Sequence, residues 1–167
     1  VQQLVDVMGC IVESDYLPEE VYSAGFSPTR VEGVWFNQSG AAEQLRQRIF
    51  KDTAPTHRGS LHVGFLQRRK NRRITNYREI EAHLHEALSR SGYTELTVSW
   101  TEFKNKSPSE QATWMHDQDI IIAAHGAALT NTIFISPGTI VMELYPPNYF
   151  PAWLFPTLIK ESDGIPL

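Results

Sequence analysis

The chain of 167 residues holds one cysteine, Cys10, so no internal disulfide can form, and the redox compartment stays open on this ground. No run of 18 apolar residues occurs and the start does not resemble a signal peptide, so no membrane-spanning helix or leader is expected within it. Basic charge is not in excess: 15 Lys+Arg stand against 19 Asp+Glu, a net charge of −4, which argues against nucleic acid as the main partner. Several signatures are missing too. Neither G-x-G-x-x-G nor G-x-x-x-x-G-K-[ST] is present, which removes the usual support for a dinucleotide fold and for a P-loop NTPase. Without G-x-S-x-G or H-E-x-x-H, a serine hydrolase elbow and a zinc protease helix lose theirs.

What is present is an α/β pattern. The stretch 119–145, DIIIAAHGAALTNTIFISPGTIVMELY, organises it. Ile120 to Ala124 is an apolar run with almost no polar alternation, as suits a parallel strand buried on both faces. His125-Gly126-Ala127-Ala128 then turns the chain with minimal side chains. Leu129 to Ile135 has near-helical apolar spacing, Ser136-Pro137-Gly138 breaks that helix, and Thr139 to Tyr145 reads as the next buried strand. Strand, tight turn, helix, strand is one unit of a doubly wound sheet, whose ligands sit at the carboxyl ends of strands. Free N–H groups at such a helix start, with no bulky side chain nearby, suit a phosphate. His125 either adds a donor there or caps the strand.

Upstream, Ser39 is expected to cap a helix from Ala41 to about Phe50, with Ala42, Leu45 and Ile49 inward and Arg46 and Arg48 outward. Leu61–Leu66 and Glu95–Trp100 are predicted strands. Between them a helix from Asn76 or Tyr77 to Ser89 carries Ile80, Leu84, Ala87 and Leu88 as its apolar stripe. Asn76 and Glu79 have capping-box spacing. Ser107 caps a helix to about His116, with Ala112 and Met115 inward, and Trp153–Lys160 is helical but short, kinked, or begun at Pro156. At least four strands are expected, in one mostly parallel sheet over residues 39–167. Residues 1–38, rich in aromatics and turns, read as an irregular segment or inter-lobe linker.

Arg68, Arg69, Lys70, Arg72, Arg73 and Arg78 follow the first of these strands within eleven residues. Their near end lies at the same sheet edge as His125-Gly126, so Arg68 with Arg72 or Arg73 could meet an anion held there; a solvated basic loop is the plainer alternative. Glu143 is the one acid inside TIVMELY. It either faces a helix dipole or arginine, or accepts from a ligand such as the paired hydroxyls of a sugar. No His pair has companion ligands at metal-site spacing. Asp117-Gln118-Asp119 has the form of a metal motif, but precedes its strand and so belongs at the opposite edge.

His125-Gly126-Ala127-Ala128-Leu129-Thr130-Asn131, then Phe134, Pro137-Gly138-Thr139 and Glu143-Leu144-Tyr145-Pro146, resemble the signature of the glycosyltransferase 61 family. The upstream pattern Arg68 … Arg72-Arg73-Ile74-Thr75-Asn76-Tyr77-Arg78-Glu79 resembles the arginine motif of the same family. The resemblance covers about residues 60–147, with one departure: Ala128 stands where the family usually has a second glycine.

The resemblance implies a two-lobed GT-B enzyme, inverting, with no obligatory cofactor or metal, this chain being mostly its Rossmann-like donor lobe. It implies that a UDP-sugar of the xylose, arabinose or N-acetylglucosamine class is the donor and a glycan or glycoprotein hydroxyl the acceptor. By the same resemblance Arg68 and Arg73 neutralise the diphosphate, the turn of His125, Gly126, Ala127, Ala128 and Leu129 holds its oxygens, and Glu143 takes the ribose. Asn76, Glu79 and Asn131 support them. The catalytic base is expected from a missing amino-terminal lobe; His125 is the candidate within this chain. Location in the Golgi or endoplasmic reticulum lumen, through a membrane anchor outside the chain, is implied as well, and Asn37-Gln38-Ser39 and Asn105-Lys106-Ser107 are compatible acceptor triplets. The alternative is a non-catalytic nucleotide-binding or scaffolding domain.

Overall fold

Segments too apolar to leave in water, and too short to be helices, pair side by side in one direction. In a computed structural model, which describes residues 40–51, 59–88, 90, 95–148 and 154–167, they form a five-stranded parallel sheet. The strands are β1 (Ser60–Leu66), β2 (Glu95–Thr101), β3 (Ile120–Ala124), β4 (Ile140–Leu144) and β5 (Ile165–Pro166), in the order β2-β1-β3-β4-β5. The helices are α1 (Ala41–Phe50), α2 (Tyr77–Leu88), α3 (Pro108–His116) and α4 (Leu154–Glu161), with a 3₁₀ helix at Ala127–Phe134. The expected irregular segment 1–38, Ser39, Ser89 at the expected end of the second helix, and Trp153 lie outside the described residues.

Alternation along each strand divides the core between two faces. Leu61, Val63, Phe65, Ile120, Ile122, Ile140 and Met142 face α2, whose Leu84 and Ala87 are buried on them. Ile121, Ala123 and Val141 face the other way, against Met115 of α3, Leu129 of the 3₁₀ helix and Phe155, Leu158 and Ile159 of α4. Helices on both faces explain why β3 and β4 carry no polar alternation. Ile120, Ile121 and Ile122 are at most 1% exposed, and burying each such side chain contributes roughly 1.5–3 kcal/mol. Among the described residues β2 pairs with β1 alone, and it is more exposed than β1, β3 and β4.

Gly64 in the middle of β1 lets α3 lie close. A methyl group there would meet the Trp114 ring at 2.6 Å and Gln118 Cγ at 2.8 Å. Gln118 is tethered, since its side chain accepts from Ser99 and donates to the Trp114 carbonyl. Gly64→Ala is therefore expected to cost about 2 kcal/mol by overpacking, read as a lower denaturant midpoint. Wild-type stability would mean that Trp114 moves aside freely.

Several local expectations are met. Ser107 caps α3 with a full capping box, accepting from the Glu110 N–H while Glu110 accepts from the Ser107 N–H. Hydrogen bonds from the Ser107 side chain first, and its backbone N–H second, hold the Glu110 carboxyl below its ordinary pKa. Asp119 lies at the amino edge of the sheet, where its carboxylate accepts from the His62 N–H.

Others are corrected. In α1 the buried residues are Ala42 and Arg46, while Ile49 is 43% exposed. Arg46 turns inward because its guanidinium donates to the Ser162 carbonyl and to Asp163, leaving its stem as the apolar contact. The cap position of α1 is Gly40, in the left-handed region at φ 77°, with no side-chain cap bond. Of the alternatives for the last helix, the short one holds: α4 has eight residues, and Pro156 falls in its first turn where a missing N–H is harmless. β5 was not expected from Ile165-Pro166, because a two-residue strand with a proline has no periodicity to read. As an edge strand it tolerates Pro166, and it is held by Ile165 N–H to the Thr139 carbonyl and Leu167 N–H to the Val141 carbonyl.

The predicted helix 129–135 is instead a 3₁₀ helix of eight residues, starting at Ala127. Three successive side chains favour the tighter winding. Thr130, Asn131 and Thr132 each donate back to the carbonyl three residues earlier, at 2.7, 3.1 and 2.8 Å.

Candidate functional site

After β1 the chain crosses to β2 on one side, and after α3 it returns to β3 on the other side of β1. The order therefore reverses between β1 and β3, and the carboxyl ends of strands at such a reversal leave a crevice. A cleft of about 360 Å³ opens there. Leu66 and Ala124, the last residues of β1 and β3, line it together with Gln67 to Asn71 after β1, Glu102 to Lys104 after β2, and Ala127 and Ala128.

The β1 loop is shaped by Gln67. Its side-chain amide donates to the Ile74 carbonyl at 2.8 Å and accepts from the Ile74 N–H at 3.1 Å, while Ile74 itself is a buried anchor. That clamp folds 68–73 back and presents Arg68, Arg69 and Lys70 to the cleft. Arg68 reaches across, and its Nη1 donates to the His125 carbonyl at 2.9 Å. The guanidinium then lies directly over Gly126, where any Cβ would overlap it. Gly126 is extended, with φ 161° and ψ 171°, so close approach rather than backbone conformation calls for glycine here. Burial first, and the charge of Arg72 second, lower the Arg68 pKa from its ordinary value. It remains a cation at neutral pH.

Among the described residues none of Arg68, Arg69, Lys70 and Lys104 takes part in an ion pair. These four cations share the cleft with one carboxylate, Glu102. A net positive crevice on a chain of charge −4 attracts anions locally. Leu129 N–H donates to the Gly126 carbonyl at 2.9 Å, leaving the N–H groups of Ala127 and Ala128 without intrahelical partners at the same rim. Asn131 steadies this turn by donating to Gln111 and to the Ala128 carbonyl.

Of the residues singled out in the sequence, Arg68, Gly126, Ala127 and Ala128 come together at the cleft. Leu129 does not: its N–H is used and its side chain is fully buried. Arg73 is exposed and does not line the cleft. Asn76 and Glu79, also exposed, start α2, where the Asn76 carbonyl accepts from the Glu79 and Ile80 N–H groups.

His125 and Glu143 form a buried pair of their own. Nδ1 lies 2.5 Å from Glu143 Oε1, the Tyr145 hydroxyl donates to Oε2, and the imidazole packs on Tyr145 and Phe155. A carboxylate only accepts, so Nδ1 carries the hydrogen in this arrangement. The side chains of His125 and Glu143 are 7% and 2% exposed. The ribose role expected of Glu143 disagrees with this placement, as does direct phosphate contact by the His125 ring. What His125 supplies to the cleft is its carbonyl, which holds Arg68.

Sequence reasoning passed over Gln67 and the loop Glu102-Phe103-Lys104. The loop follows β2 directly, so its position at the carboxyl edge was the available signal.

The model of the family described as Glycosyltransferase 61 matches residues 25–142 of the chain. The chain is also similar to the EGF domain-specific O-linked N-acetylglucosamine transferase of Gallus gallus, 37% identical over 75 residues. That match covers 44% of this chain and only 14% of the relative's length.

Proposed function

Because this chain belongs to the glycosyltransferase 61 family, we propose that its cleft binds the diphosphate of a UDP-sugar and that the chain is the donor lobe of an inverting glycosyltransferase. The observation that carries this reading is the cation cluster at the sheet's reversal point, without ion pairs among the described residues and with Arg68 laid over Gly126. An acceptor hydroxyl of a glycan or protein attacks the anomeric carbon from the face opposite the diphosphate. The bond from that carbon to the diphosphate oxygen breaks, and the leaving group carries away the electron pair. Its growing charge is met by Arg68, Arg69, Lys70 and the Ala127 and Ala128 N–H groups, positioned before the reaction begins. Side-chain cations do here what a divalent ion does in other transferases, without an obligatory metal.

The acceptor proton passes to a base on a separate amino-terminal lobe, in the lumen of the Golgi or endoplasmic reticulum. N-acetylglucosamine is the first donor sugar to try, since the relative is named for its transfer; xylose and arabinose follow.

Calorimetric titration of the chain with UDP, with magnesium and with a chelator, tests the reading. Saturable binding that survives chelation is expected. A folded chain that binds no UDP in either buffer would overturn an autonomous donor site. Ala128 supplies a graded check, because it is one of the residues lining the cleft. Ala128→Gly is expected to tighten UDP about threefold, roughly 0.6 kcal/mol, by letting the diphosphate approach the backbone. Should affinity stay unchanged, the phosphates do not sit against this turn. The rival reading, a non-catalytic nucleotide-binding or scaffolding domain whose crevice is degraded, has Ala128 as its one sequence hint and is favoured if UDP affinity is lost.

A further inference from the structure

We infer that the loop after β2 is the nucleoside side of the cleft, with Glu102 accepting the two ribose hydroxyls and Phe103 flanking the base. This rests on the diphosphate reading above.

Once the diphosphate is assigned to the wall of Arg68, Arg69 and Lys70, the part of the cleft left for the nucleoside is the wall built by residues 102–104. Glu102 is the single carboxylate among the lining residues, and it is exposed. A carboxylate in a cationic cleft weakens binding of a bare polyphosphate, since like charges repel. It favours a ligand that carries hydroxyl donors next to its phosphates. Two vicinal O–H groups suit it, because a carboxylate accepts on both oxygens and donates on neither. Glu143, the residue the sequence suggested for this role, is sealed beneath the turn with both oxygens occupied.

Phe103 is half-buried, and its ring is braced edge-on by Trp114 at 5.6 Å and 85°. The backbone behind it is fixed as well. The Phe103 carbonyl accepts from the Lys106 N–H at 3.1 Å, and the Gln111 amide donates to the Lys106 carbonyl at 2.8 Å. A ring held on a fixed loop is a platform on which a planar base can lie with little further ordering.

The test is calorimetry on the full chain with inorganic pyrophosphate, UDP and 2′,3′-dideoxy-UDP as probes. Wild type is expected to prefer UDP over the dideoxy compound by about tenfold, the scale of hydrogen bonds to a charged group. Glu102→Ala should reduce that preference to below about twofold, leave pyrophosphate affinity equal or slightly higher, and Glu102→Asp should restore part of it. Phe103→Leu should weaken UDP several-fold while sparing pyrophosphate. Circular dichroism confirms the fold of each variant.

If pyrophosphate and UDP bind but Glu102→Ala keeps the full preference, or Glu143→Gln abolishes it in a folded chain, the inference is overturned and the diphosphate reading stands. If folded wild type binds neither probe, the diphosphate reading fails and the inference falls with it.

Discussion

Arg68→Ala is expected to weaken pyrophosphate and UDP binding by about 30-fold, or roughly 2 kcal/mol, the scale of a charge-assisted hydrogen bond to an anion. Gly126→Ala should produce most of that loss with Arg68 still present. The added methyl group takes the space of the guanidinium, which must leave the His125 carbonyl and swing out of line. The displaced atoms are the far end of a flexible side chain, so folding stability should fall by less than about 1 kcal/mol. Binding without unfolding is thus the signature, checked by calorimetry beside a denaturant melt of the same sample. Wild-type affinity in Gly126→Ala would show that the placement of Arg68 over the turn does not matter to the ligand.

The second large effect is on stability. Glu143→Ala should cost about 3 kcal/mol, because it removes the acceptor shared by the buried His125 Nδ1–H and the half-buried Tyr145 hydroxyl, at about 1–3 kcal/mol each. Glu143→Gln should fall between, its amide oxygen keeping one partner while its N–H₂ faces the other donor. Tyr145→Phe, losing one bond to a charged group, should cost about 1.5 kcal/mol. Equilibrium unfolding in urea compares the three. A Glu143→Ala chain as stable as wild type would mean that the buried pair does not hold the end of β4.

The sheet was legible because burial on both faces leaves a simple trace. Ile120-Ile121-Ile122 and TIVMELY name themselves as strands, and Ser107-Pro108-Ser109-Glu110 names its helix start. Legibility stopped where a distant partner decides. Arg46 reads as solvated until Ser162 and Asp163 come to it, and Glu143 reads as a ligand acceptor until Tyr145 folds back two residues later. The 3₁₀ winding of 127–134 turns on three side-chain bonds that apolar spacing does not report. At the cleft, Arg68 and Gly126 could be paired from topology alone. Glu102 and Phe103 were hidden in a polar run whose only mark was its place after a strand.

The inward arginine of α1 also bears on how the chain comes to be folded. Its guanidinium grips a carbonyl 116 residues further on, and Phe50 of the same helix stacks on His116. A nascent chain emerging amino end first makes α1 well before either partner exists, so this helix must wait, its arginine hydrated, until α4 has been synthesised. Closing so long a loop is entropically slow, which places docking of α1 among the last folding steps. Native-state hydrogen exchange should accordingly find its amides opening at lower free energy than those of β3, as a separate cooperative unit.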